Sequence, residues 1–183
     1  MNKTGTRDIE TARLLLRRFV IEDADAMYAN WCSDPEVTRF LTWPTHIDVE
    51  VTRSVLNDWI PQYDNGDYFN WAMELKDTGE LIGNISVVQV REDIGEAHMG
   101  YCMSKAHWGC DLMPEALTAV MDYLFDVVGM NRVSAVHDVN NPKSGRVMDK
   151  AGMKREGILR QAGRNNQGII DEVWHSMIRS DRT

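Results

Sequence analysis

Between residues 68 and 103 the chain changes its apolar period from that of a helix to that of a strand, and from residue 114 it changes back. Residues 68–75, 81–90 and 97–103 are β-rich runs, and Asp77-Thr78-Gly79-Glu80 is a turn between the first two. They predict three antiparallel strands in a meander. Then Leu117, Val120, Met121, Leu124, Phe125 and Val128 recur at helical spacing, with Pro114 in the first turn and Gly129 past the end. A meander followed directly by an amphipathic helix restricts the chain to layered sheet-and-helix architectures.

The flanks agree. Residues 1–11 are polar and read as a loose arm, and residues 12–20 as a first strand. Glu22, Asp23 and Asp25 stand where a helix start favours acids, ahead of Met27, Tyr28 and Trp31, and this short helix ends before Pro35. Residues 48–60 form a second helix, with Val51, Val55, Leu56 and Trp59 on one stripe and Pro61 stopping it. Beyond the central helix, 132–139 reads as a strand, and Asn141-Pro142 opens a short helix that Gly152 closes. Residues 153–159 and 169–178 are the last strands. No repeat, low-complexity segment or linker divides residues 12–183, which read as one domain of mixed α/β class.

Charge removes some functions. Lys and Arg total 20 against 28 Asp and Glu, a formal net charge of -8. Without a basic run the chain lacks the footprint of direct nucleic-acid binding, and a neutral or cationic substrate suits it better. No apolar stretch approaches the roughly 20 residues of a membrane helix, and no signal peptide is visible, so the cytoplasm is the expected location. Cys32, Cys102 and Cys110 show neither a disulfide framework nor metal-ligand spacing.

The stretch from Tyr101 to Ala116 joins a strand end to a helix start through Trp108-Gly109-Cys110-Asp111-Leu112-Met113. Unpaired backbone N–H groups and the positive end of the helix dipole converge at such a junction, which suits a phosphate. That loop, followed by Asn131-Arg132, Asn140-Asn141-Pro142-Lys143-Ser144-Gly145-Arg146-Val147-Met148 and Lys150-Ala151-Gly152-Met153, resembles the GNAT superfamily of acyl-CoA-dependent N-acetyltransferases, in particular the ribosomal-protein (RimJ/RimL-type) enzymes. The likeness spans nearly the whole chain, from Thr11-Ala12-Arg13-Leu14 onward.

The resemblance implies a mixed, mostly antiparallel central sheet flanked by helices, with two strands splayed at the CoA site. It implies acetyl transfer from acetyl-CoA to a primary amine, either a protein N-terminus or a small cationic molecule, without a metal. A homodimer is a further expectation from the family. The loop Trp108, Gly109, Cys110, Asp111, Leu112 and Met113 would hold the CoA pyrophosphate through its amides. The backbone around Tyr101, Cys102 and Met103 would pair with the pantetheine arm. Asn141 matches a residue that contacts the cofactor, and it is equally an ordinary helix N-cap. Ser144 matches a residue near the sulfur, where it would protonate the leaving thiolate, and it is otherwise a polar residue of a first helical turn. Tyr101 is a candidate to supply a hydroxyl near the thioester, or an amphipathic core residue.

Two positions depart from the pattern. Asp111 stands where the family loop has its second glycine. It tolerates positive φ better than most residues, but facing the phosphates it would cost about 1–4 kcal/mol of repulsion at 4 Å. His98 stands where the family often has a carboxylate base; an imidazole titrates near neutral pH and can take an ammonium proton. Packing without catalysis is its other reading, and Glu96, on the same strand face, is a rival base. Trp43, Trp71 and Phe69 are candidates for an acceptor pocket or for the core. Asp111 and His98 together motivate a second reading, a CoA-binding regulatory module with weak or no catalysis.

Overall fold

The computed structural model describes residues 1–182. Its strands, in chain order, are β1 (Ile9–Glu10), β2 (Leu14–Arg17), β3 (Asn70–Leu75), β4 (Leu81–Arg91), β5 (Glu96–Met103), β6 (Arg132–Asp138), β7 (Lys154–Asn165) and β8 (Gly168–Ile178). They make one sheet in the order β1-β2-β3-β4-β5-β6-β8-β7. The helices are α1 (Ala24–Met27), extended by a π turn at Tyr28–Cys32, α2 (Pro35–Thr38), α3 (Val49–Trp59), α4 (Leu112–Tyr123), extended by a π turn at Leu124–Val128, and α5 (Pro142–Lys150). None of the described helices is long and apolar enough to cross a membrane.

The predicted meander is present: β3, β4 and β5 pair antiparallel. Among the described residues only β5 and β6 run parallel. The cause is α4, which lies between them in the chain and returns it to the end from which β5 began, as a helical crossover must.

Each sheet face is covered by helices. On one face Leu14, Leu16, Trp71, Met73, Ile85, Ala97 and Met99 share a core with Leu117, Val120, Met121, Leu124 and Phe125. On the other, Ala72 and Leu81 share a core with Phe19, Met27, Trp31, Leu56 and Tyr63. Burying each large apolar side chain contributes roughly 1.5–3 kcal/mol. Asp48 caps α3 by accepting from the Val51 amide at 3.0 Å, and Gly129 takes φ 84° past the π turn that ends α4.

The structure corrects the loose arm. Ile9 and Glu10 pair with Leu16 and Leu15, Thr6 is buried, and the Trp71 indole donates to Arg7 O at 2.7 Å. Tyr123 Oη donates to Gly5 O at 2.7 Å. These bonds are made by backbone groups, so a polar stretch with no apolar pattern gives no sign of them. The first strand is also shorter than 12–20. Asp23 accepts two bonds from the Arg17 guanidinium, at 2.8 and 2.9 Å, and one from the Val20 amide, which turns the chain after Arg17. Strand β7, by contrast, runs past the expected residue 159 through a register shift between Leu159 and Gly163.

Glu115 on α4 ties the arm to the helix. Its Oε1 accepts from Thr11 Oγ1 at 2.6 Å and the Arg13 amide at 2.9 Å, and its Oε2 accepts from Arg13 Nε at 2.7 Å. Burial pushes its pKa up, but these hydrogen bonds outweigh burial and hold it below the usual carboxylate value. A depressed folded pKa gives stability that is complete above the unfolded pKa of about 4.3 and lost as pH falls through the folded value. Glu115→Gln is expected to lower unfolding free energy by about 1–3 kcal/mol at pH 7. Chemical denaturation across pH checks this, and the two proteins should converge in acid.

Candidate active site

Pairing between β5 and β6 runs from Glu96 opposite Arg132 to Met99 opposite Ala135, and stops there. Both strands continue: β5 stays paired with β4 as far as Met103, and β6 stays paired with β8 as far as Asp138. Residues 100–103 and 136–138 therefore face each other across an open gap, held in place by their outer neighbours. A strand edge of this kind leaves N–H and C=O groups for an extended ligand to bond. Tyr101, Cys102 and Met103 lie along it.

The loop from Trp108 to Met113 lies just beyond the end of β5. Trp108 Nε1 donates to Met103 O at 2.9 Å, and Lys143 Nζ sits 4.6 Å from the centre of the indole. Arg13 Nη1 donates to Cys110 O at 2.9 Å. Gly109 has φ 83° and Asp111 φ 59°, the left-handed conformation that the missing glycine would adopt freely. Among the described residues neither the Gly109 nor the Asp111 amide donates a hydrogen bond. Leu112 and Met113 are buried and begin α4, whose first amides are also free of helical partners. The loop is thus a set of donors at a helix N-terminus, suited to an anion. The Asp111 carboxylate is paired with Lys150 of α5.

Asn141 departs from the cap reading. Its side chain makes no capping bond; the Ser144 amide donates instead to Asn141 O at 3.1 Å. Pro142 has no N–H and the backbone turn takes the amide at the third position, so the side chain is free for another partner.

Side chains alternate along β5. Ala97, Met99, Tyr101 and Met103 face the α4 core, whereas Glu96, His98, Gly100 and Cys102 face the other way. On the α4 side the Tyr101 hydroxyl lies 2.9 Å from Ser144 Oγ and donates to Ser144 O at 3.1 Å. Burial pushes the Tyr101 pKa up, so the phenol keeps its proton. On the opposite side His98 Nδ1 lies 2.9 Å from Ser134 Oγ, and its ring is 5.3 Å from that of Trp174. Burial lowers the His98 pKa, which leaves the imidazole neutral near pH 7. Cys102 is half-buried, and desolvation pushes its thiol up to about 12, and so it offers the gap its backbone rather than a thiolate.

Glu96 is corrected as a free base. It is 4% exposed, and its two oxygens take Arg132 Nε at 2.7 Å and Arg91 Nη1 at 3.3 Å. A carboxylate committed to two guanidiniums binds protons weakly. Phe69 and Trp71 are core residues, 1% and 0% exposed, and do not line a pocket. Ser134, Trp174 and Glu172, whose carboxylate accepts from Trp174 Nε1 at 3.2 Å, were missed. The one signal available for them was a serine inside the apolar run Val133-Ser134-Ala135-Val136.

A sheet that opens between two parallel strands, with an anion loop at the mouth, defines a fold that admits an extended phosphate-bearing cofactor end-on. The chain matches the acetyltransferase (GNAT) domain family over residues 13–154 and belongs to that family, so it is an acetyl-CoA-dependent acyltransferase. It is 31% identical over 171 residues to the uncharacterized N-acetyltransferase YoaA of Bacillus subtilis, covering 93% of this chain and 96% of that one. It is 29% identical over 139 residues, 75% of this chain and 76% of the other, to the ribosomal-protein-serine acetyltransferase of Escherichia coli. Among solved structures, the microcin C7 self-immunity acetyltransferase MccE in complex with acetyl-CoA and AMP superposes with a TM-score of 0.82 at 17% identity, over 92% of this chain and 93% of that one.

The Asp111–Lys150 pair makes opposite predictions for its two members. Asp111→Gly removes a carboxylate and frees the Lys150 ammonium beside the loop, and is expected to tighten acetyl-CoA binding by about threefold. Lys150→Ala leaves the carboxylate unpaired beside the loop and is expected to weaken affinity roughly tenfold, about 1.4 kcal/mol. Calorimetric titration with acetyl-CoA measures both.

Proposed function

We propose that the protein transfers the acetyl group of acetyl-CoA to a primary amine, on a protein N-terminus or a small cationic molecule, by direct attack in the cytoplasm. The observation that carries this reading is that polar groups stand on both faces of the sheet where β5 and β6 part, at the gap on one face and beside its last paired rungs on the other. Tyr101 and Ser144 lie on the α4 side, and His98 on the other. A base and an acid on opposite sides of a reacting carbonyl are what amide formation from a thioester needs.

Acetyl-CoA supplies the activated acetyl thioester. The free amides of Gly109 and Asp111, with those of Leu112 and Met113 at the start of α4, suit its pyrophosphate, and the open edge of β5 suits its pantetheine amides. Asn141, with no cap to make, is available to the cofactor. His98 accepts the proton that the amine nitrogen loses as the new C–N bond forms. As the C–S bond breaks, Ser144 gives its hydroxyl proton to the sulfur while the Tyr101 phenol, hydrogen-bonded to it, holds the hydroxyl in place, and the proton that His98 has passed to water restores the serine. The products are an acetamide and free CoA. The net charge of -8 favours a cationic acceptor. The relative named as a ribosomal-protein-serine acetyltransferase supports a protein acceptor.

Thiol detection of CoA release, with peptide N-termini and polyamines as acceptors, tests the proposal. Ser144→Ala is expected to lower kcat by about 10- to 100-fold with acetyl-CoA affinity unchanged, and Tyr101→Phe to lower it less. Tight acetyl-CoA binding without amine-dependent release from any acceptor would instead favour a regulatory module.

A further inference from the structure

Ser134 sits on β6 opposite His98 on β5 and has no exposed surface. Its Oγ is 2.9 Å from His98 Nδ1, and on the same sheet face it acts on the Glu96 carboxylate, whose pKa it lowers. Burial pushes the Glu96 pKa up, but Ser134, the hydrogen bond from Arg132 and the charges of Arg132 and Arg91 outweigh it, so the group is a carboxylate at neutral pH. Arg132 is itself anchored by a bidentate pair with Glu156, both contacts at 2.6 Å.

Proton counting then fixes the histidine. An ionised carboxylate only accepts, and a serine hydroxyl has one proton to give. The ionised Glu96 beside it draws that proton, which leaves Ser134 to offer His98 an oxygen lone pair. His98 Nδ1 must therefore be the N–H of the neutral ring, and Nε2 carries the lone pair. Among the described residues Nε2 has no hydrogen-bond partner, and it is not one of the buried unpaired atoms, so it reaches solvent. The charged groups acting on His98 are Glu96 on its own strand and Arg132 on β6. Arg91 on β4 and Glu156 on β7 are each one ion pair removed. The indole of Trp174 covers it from β8, and Gln89 stands opposite it on β4.

We infer that Ser134 and Glu96 are positioning residues that lock His98 in the Nδ1–H tautomer and so present Nε2 as a base to the acceptor amine. This rests on the role given to His98 under the proposed function. In the step, an N–H bond of the attacking amine breaks and an Nε2–H bond forms, giving an imidazolium. Its Nδ1–H stays on Ser134, and Glu96 balances its charge without taking the proton. The imidazolium then releases the Nε2 proton to water.

Long-range proton–nitrogen NMR on protein with nitrogen-15 histidine reads the tautomer without any activity. The expected result is a protonated Nδ1 and a bare Nε2 on His98 in the unaltered protein. In Ser134→Ala the preference should be lost, with kcat reduced about 10- to 100-fold and the KM for acetyl-CoA unchanged. Ser134→Thr, which keeps the hydroxyl, should restore the tautomer and part of the rate. A protonated Nε2 in the unaltered protein overturns the inference whether or not any variant folds, and so does full kcat in Ser134→Ala. His98→Ala should cost about 100-fold or more. An unchanged rate there, with the Nδ1–H tautomer intact, removes His98 from the reaction and the inference with it, while acetyl transfer itself stands. Failure of every amine to release CoA is the separate result that removes the proposed function.

Discussion

Parallel pairing of β5 with β6 stops at Met99 and Ala135, and the rest of the molecule is arranged around that interruption. Two strands do not stay apart in water unless something outside them fixes their positions, because closing the gap would pair their free backbone groups. Here β4 holds β5 and β8 holds β6 beyond the point where they separate. The Tyr101–Ser144 pair adds a second restraint, fastening β5 to the first turn of α5. The gap is therefore a built feature of the sheet, and the backbone that lines it is held by its outer neighbours.

From the same interruption follows the division of labour across the sheet. One face carries α4 and α5, the anion loop and the hydroxyl pair; the other carries His98 with its buried partners. A ligand threaded through the gap would meet donors and a weak acid from one side and a neutral imidazole from the other. The N-terminal segment contributes as well, since Arg13 reaches both Glu115 on α4 and the carbonyl of Cys110 in the loop. The loop is thereby braced by Arg13 just ahead of β2, by Trp108 against Met103, and by α5 through Lys143 and Lys150.

Legibility in the sequence followed apolar periodicity. The meander and α4 were readable because their buried faces repeat at periods of 2 and 3.6 residues. The arm and the far half of β7 were not, since backbone hydrogen bonds and a register shift hold them and neither leaves an apolar pattern. At the site, the loop from Trp108 to Met113 and the Asn141 and Ser144 positions were legible as motifs. The fate of Asp111 was not, because Lys150 lies 39 residues away and only the fold brings it to the loop. The same holds for Glu96: a carboxylate two residues from a histidine on one strand face reads as a second base until Arg132 and Arg91 are seen to occupy it.

The most direct test of the account is amide hydrogen exchange measured by NMR with and without saturating acetyl-CoA. Protection confined to those amides of residues 100–103 that point away from β4 and to the amides of Gly109, Asp111, Leu112 and Met113 is the predicted result, because those are the donors the gap and the loop leave open. Saturating acetyl-CoA that protects neither segment, or that protects a different strand edge, would contradict the claim that the β5–β6 interruption is where the cofactor binds.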